Sequence, residues 1–149
     1  MRTDSKLSRM LHVLLHMARQ EKSFTSDEIA KMLTTNPVVV RRTMSGLKKA
    51  GFVKAEKGPG GGWQLAQDLS NISLFDIYEA VGEPTIFALG NERDHPDCIV
   101  EQTVNEALDQ ALNEAKLLLI QQLKSTKMSE LALEFEQKFN LQQCTKSHD

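Results

Sequence analysis

Two residues, Thr34 and Thr35, are all that separate the end of one amphipathic segment from the start signal of the next. Asn36 followed by Pro37 reads as an N-cap with a proline at the first helical position, where the missing N–H costs no hydrogen bond. Upstream, Thr25 with Glu28 three residues later matches a capping box, and Ile29, Met32 and Leu33 supply a short apolar face. Gly51 stands where a left-handed C-terminal cap belongs, so the second segment is bracketed at about 37–50. A connection this short forces the two helices to meet at a tight angle, as in a helix-turn-helix.

The flanking sequence extends this unit. From about Ser5 to Arg19, Leu7, Met10, Leu11, Leu14, Leu15 and Ala18 recur at three- and four-residue intervals, which predicts a first amphipathic helix. Beyond Gly51 the period changes: FVKAE at 52–56 and WQLA at 63–66 are short strand candidates around KGPGGG, a segment suited to a hairpin tip. Helix, helix, helix and hairpin is the order of a winged helix-turn-helix. After a linker, QDLSN, Ser73 caps LFDIYEAV, with Asp76 in its first turn and Gly82 as its stop.

No period is visible between Glu83 and Asp97, which reads as an irregular loop. From about Asp97 to Lys124, Val100, Val104, Leu108, Ala111, Ala115, Leu118 and Gln122 approximate a heptad seam, broadened by Leu112, Leu119 and Leu123. A helix of roughly 40 Å with two apolar stripes is longer than so small a domain needs, so one stripe is expected on its own chain and the other on a second subunit. Ser129 opens a last helix through Leu131, Leu133 and Phe135 to Phe139, and the tail LQQCTKSHD is expected to fray. The fold class is therefore mainly α with a small β-hairpin: a winged helix-turn-helix over residues 1–72, then a helical dimerisation region over 73–149 built on one long helix.

Charge divides the chain at the same place. The net charge of −2 conceals 12 Lys/Arg against 6 Asp/Glu up to Ile72, and 6 against 14 beyond it. A basic half joined to an acidic half points to a polyanion partner for the first. Between Pro37 and Lys57, Arg41, Arg42, Lys48, Lys49, Lys54 and Lys57 face a single acid, Glu56.

Other classes are excluded on composition. With 149 residues the chain is too small for a multidomain enzyme, and no carboxylate pair, Ser/His/Asp set or metal cluster emerges. Two cysteines, Cys98 and Cys144, make neither a disulfide framework nor a four-thiolate site. No run approaches the roughly 18 apolar residues of a membrane helix, and MRTDSKLSRM has no apolar signal core, so a cytoplasmic location without membrane contact is expected.

On the third helix Val40, Met44 and Leu47 share one face. Val38, Arg41, Ser45 and Lys48 therefore share the other, flanked by Arg42 and Lys49. Arginines near the N-terminal half of an exposed helix can hydrogen-bond guanine edges in a major groove, lysines further along suit phosphates, and Val38 suits a thymine methyl group. The tip offers Lys57 as a cation at its rim, and glycines, Gly58 and Gly60 among them, that let backbone approach a phosphate or minor groove closely. A nucleotide-binding P-loop is ruled out, since Lys and Ser or Thr must follow its last glycine and here Trp63 and Gln64 do.

These segments together resemble the bacterial Rrf2 family of winged-helix regulators. The resemblance rests on the N-terminal helix, NPVVVRRTMSGLKKAGFV, KGPGGGWQLA and ISLFDIYEAVGE, in that order and spacing, and with the acidic arm it covers nearly the whole chain; NPVVVRR is most similar to the cluster-less, YwnA-like branch. It implies a non-enzymatic, sequence-specific DNA-binding transcriptional regulator, a repressor, acting as a homodimer on a palindromic operator in double-stranded DNA. It also implies that Asn36, Val38, Arg41, Arg42, Lys57 and Gly58 occupy DNA-contact positions. Cluster-bearing members place three cysteines before the dimer helix; this chain has Cys98 alone there, so no cofactor is expected, and an iron–sulfur-sensing regulator is the alternative within the family. A winged-helix module for protein partners is the alternative outside it.

Cys98 is expected in the first turn of the dimer helix, where unpaired N–H groups favour a reactive thiolate while Asp94, Asp97 and Glu101 oppose one, so the choice lies between a thiol sensor and an inert buried cysteine. His12 and His16 stand four apart on the first helix with no third ligand evident, a partly buried structural pair and not a metal site. Trp63 is expected to anchor the hairpin.

Overall fold

The computed structural model describes residues 4–87, 89, 91 and 93–146, the last three by backbone alone. It is mainly helical: α1 (Lys6–Gln20), α2 (Ser26–Leu33), α3 (Pro37–Lys49), β1 (Val53–Glu56), β2 (Gly62–Leu65), a 3₁₀ turn (Leu69–Asn71), α4 (Leu74–Ala80), α5 (Ile99–Ser125) and α6 (Met128–Lys146). The strands form one antiparallel hairpin, with Val53 opposite Leu65 and Glu56 opposite Gly62.

Local chemistry sets most of these boundaries. Glu28 N–H donates to Thr25 Oγ1 at 3.1 Å and Thr25 N–H to the Glu28 carboxylate at 2.8 Å, a reciprocal cap that starts α2. Ser73 and Asp76 repeat the arrangement at α4, at 3.1 and 2.8 Å. Asn36 Oδ1 accepts from Val38 N–H at 2.7 Å to start α3. At its far end Phe52 N–H reaches Leu47 O and Gly51 N–H reaches Lys48 O, both at 3.0 Å. That pair of bonds is the Schellman closure, and it holds Gly51 at φ +87°, where a Cβ would be strained.

One core joins the elements. Val13 and Leu14 of α1, Ile29 of α2, and Val40, Met44 and Leu47 of α3 are fully buried together with Ile72, Ile77 and Met128. The hairpin is fastened through Trp63, whose backbone exchanges hydrogen bonds with Phe24 at 3.0 and 2.8 Å and whose indole N–H donates to Ser26 Oγ at 3.0 Å. The expected anchoring role of Trp63 is thus seen, and its ring lies in the core. On the other side Gly46 lets α3 touch α4: a Cβ there would stand 2.8 Å from Ala80 O.

The helical arm is clamped to this core by backbone. Met128 N–H donates to Ile72 O at 2.8 Å and Leu74 N–H to Thr126 O at 3.0 Å, so the α5–α6 turn lies against the segment leading into α4. Thr126 breaks the helix at extended φ, and α6 then runs back over α1. Three expectations are corrected here. Residues 141–146 of the tail are helical and not frayed, because α6 runs unbroken from Met128; 147–149 lie outside the described residues. Cys98 occupies the N-cap position, one residue before the first turn, where Gln102 N–H bonds its carbonyl at 3.0 Å. His12 is exposed and only His16 is half-buried, since their face of α1 turns toward Phe135 of α6 and away from the core.

Candidate nucleic-acid interface

The basic face of α3 is open along its length. Asn36, Val38, Arg41, Arg42, Ser45 and Lys48 are all exposed, opposite the buried Val40, Met44 and Leu47. Among the described residues no ion pair engages Arg41, Arg42, Lys48 or Lys57, so these cations are uncommitted. Two side chains are partly committed: Asn36 Oδ1 caps the helix, leaving its amide N–H groups free, and Ser45 Oγ–H donates to Arg41 O at 2.7 Å, leaving its oxygen to accept. Ser45 thus suits a base-edge donor better than a phosphate.

One exposed residue on this helix escaped the sequence reading. Val39 is 46% exposed beside Val38 at 54%. The signal was present in PVVV, because a 100° step between neighbours cannot bury three successive valines on one face. The pair forms an apolar contact zone at the N-terminal end of the reading face, suited to thymine methyl groups.

At the hairpin tip Lys57, Gly58 and Gly60 are exposed. Gly58 and Gly60 sit at φ +92° and +77°, and a Cβ on either would meet nothing within 4 Å. At these two positions backbone conformation, and not internal crowding, is what requires glycine, whereas at Gly61 a Cβ would press on the Glu56 carbonyl. The outward side is bare backbone beside a lysine, a surface that fits closely against a sugar-phosphate strand.

Cys98 is exposed, which removes the buried-cysteine reading. The loop before it is tied to α5 by His95 N–H to the Glu101 carboxylate at 3.1 Å and by Gln102 Nε2 to Pro96 O at 2.7 Å. Among the described residues the donors do not fit an iron–sulfur cluster. Cys98 is the only cysteine among the described side chains, Cys144 lies 46 residues further on in the chain, and no three His, Cys, Asp or Glu among the described residues stand close enough to share a metal ion. His12 and His16 stack at 4.8 Å between centroids with no third donor among the described residues.

Known proteins match this architecture. The model of the Rrf2 family, described as an iron-dependent transcriptional regulator, matches residues 3–134. The HTH-type transcriptional regulator YwnA of Bacillus subtilis is 32% identical over 128 residues, covering 86% of this chain and 95% of that protein. A crystal structure of a transcriptional regulator from Lactobacillus plantarum superposes with a TM-score of 0.74 at 23% identity, over 97% of this chain and 99% of the other. The global cysteine regulator CymR of B. subtilis shares the fold at a TM-score of 0.57 and 20% identity, over 90% and 98% of the two chains. With a family match over nearly its whole length and a winged helix-turn-helix that exposes one basic face, the chain belongs to the Rrf2 family, whose members are DNA-binding transcriptional regulators and not enzymes.

Proposed function

We propose that this regulator works in the cytoplasm as a homodimeric repressor that grips a palindromic operator, with residues 1–72 reading DNA and residues 73–149 pairing the subunits. The observation that carries the reading is the combination of an unpaired basic face on α3 with an uncovered apolar seam on α5. Val100 (72% exposed), Val104 (50%), Leu108 (42%) and Leu118 (69%) line that seam, a surface that a second α5 would bury. In this reading Arg41 and Arg42 contact base edges, Val38 and Ser45 add base-edge contacts, Asn36 and Lys48 hold phosphates, and the Lys57–Gly60 tip lies in the flanking minor groove.

The test is binding to the chain's own upstream region at several salt concentrations. A steep linear fall of log affinity with log salt, together with a footprint of two symmetric half-sites, supports the reading. Affinity indifferent to salt would instead favour a protein-binding wing. Repression is tested by transcription in vitro from the footprinted promoter, where added regulator should lower the transcript yield.

Cys98 is assigned a sensing role on the strength of its exposure and its place at the start of the seam helix. Oxidation there would alter the packing of the two α5 helices and so the spacing of the reading heads. Identical oxidant responses of operator binding in Cys98→Ser and the parent would remove that role.

A further inference from the structure

Between α4, the loop after it and α5 lies a cleft of about 360 Å³, a volume typical of small-molecule sites. Phe75 and Tyr78 of α4 form one wall, with ring centroids 5.9 Å apart and planes 32° from parallel. Phe87 of the loop and Ile120 of α5 add to the apolar lining. Tyr78 is buried and its O–H donates to Pro84 O at 3.0 Å, so it offers the cleft its ring, and the same bond holds the loop against α4.

Polar groups converge from α5. Lys116 stands one turn before Ile120 on the same helix face, and Asn113 lines the cleft beside it. No ion pair among the described residues engages Lys116. Lys124, two turns further on, is by contrast already seated over the Phe75 ring at 4.7 Å. An uncommitted ammonium and a carboxamide beside aromatic and aliphatic walls complement a ligand with one carboxylate and one flat apolar body. Among the described residues Glu83 is the only acidic one lining the cleft, and its charge favours a ligand with one negative charge over one with two.

Position gives such a site a consequence. Its α4 wall abuts α3 at Gly46 with no space for a Cβ, while its other wall is the seam helix. Anything wedged between α4 and α5 therefore acts on the element that sets the reading helix relative to the seam. We infer that this cleft binds a small aromatic monocarboxylate and that its occupancy changes operator affinity; the second half rests on the DNA-binding reading above.

The experiment titrates the full chain with 4-fluorophenylacetate, followed by ¹⁹F NMR and calorimetry, beside the neutral 4-fluorophenylacetamide. Saturable one-site binding is expected, weakened about tenfold for the amide and about tenfold for Lys116→Met, but unchanged for Lys124→Met. Glu83→Gln should tighten it. Equal affinity for acid and amide, parental affinity in Lys116→Met, weaker binding in Glu83→Gln, or no saturation below about 10 mM overturns the site. Operator affinity is then measured with and without the acid. A shift of threefold or more in the parent that is lost in Lys116→Met supports the coupling, and no shift despite binding overturns it. Failure to bind DNA under any condition would sink the regulatory reading while leaving the ligand result intact.

Discussion

Arg41 and Lys48 lie on the same exposed face of α3, yet they should fail differently when removed. A guanidinium at the N-terminal half can span two acceptors of one guanine, whereas a single ammonium further along meets the uniform phosphate backbone. Arg41→Ala is expected to cost about 1–3 kcal/mol and to relax discrimination at one operator position. Lys48→Ala should weaken all sequences alike and reduce the salt slope by about 1. Competition binding across single-base operator variants separates the two, and unchanged discrimination by Arg41→Ala would take that residue out of base readout. His16 yields a different prediction. Burial, followed by the charges of His12 and Arg19, holds its pKa below 6.5, so the folded chain takes up this proton less readily than the unfolded one. Stability is therefore complete above 6.5 and declines as the pH falls through 6.5 toward the lowered value. His16→Gln should flatten thermal midpoints measured between about pH 7.5 and pH 5.5; a profile as steep as the parent's would assign the decline elsewhere. The exposed cations were legible in the sequence because helical period alone sorts α3 into two faces. The half-burial of His16 was legible only in part, since it depends on Phe135 arriving from α6.

At the scale of elements, the boundaries best anticipated were those written in a few consecutive residues. The reciprocal caps at Thr25–Glu28 and Ser73–Asp76 and the Gly51 closure involve partners within five positions, so their chemistry is visible without tertiary knowledge. Ser73→Ala should accordingly cost about 1 kcal/mol of stability, read from chemical denaturation. Met128 is the opposite case. Its side chain is fully buried and its N–H is bonded to Ile72 O, more than fifty positions back, and nothing in KSTKMSEL marks it as a core residue. Met128→Ala is expected to cost about 2–5 kcal/mol, more than any exposed α6 substitution. A change below 1 kcal/mol would mean that the arm is not fastened to the core through this residue. The continuation of α6 through Lys146 was missed for a related reason: LQQCTK carries no apolar face that would announce a helix, and it is helical as the extension of a segment already started.

For the whole molecule the decisive quantity is the state of α5. Its 27 residues span about 40 Å, one side packs on α4, and Val104, Leu108 and Leu118 are left at 50%, 42% and 69% exposure. Replacing Val104 and Leu118 together by Glu should yield a folded monomer by sedimentation equilibrium. Its operator affinity should fall at least about 100-fold, because each half-site is then held by one reading head alone. A double variant that stays dimeric, or a parent chain that is monomeric at operator-saturating concentrations, would sink the pairing on this seam.

Periodicity, caps and the glycine tip by themselves determined the order of helices and hairpin, the exposed basic face of α3 and the presence of two apolar stripes on the long helix. Each of these depends on residues close in sequence and on fixed helical or strand geometry. Only the tertiary structure decided which side of the long helix rests against α4 and that Met128 locks the arm to Ile72. It alone showed that Cys98 is exposed and that Phe75, Tyr78 and Lys116 meet around one cleft. Those outcomes depend on where elements far apart in the chain come to rest, and packing between distant surfaces leaves no local pattern to read.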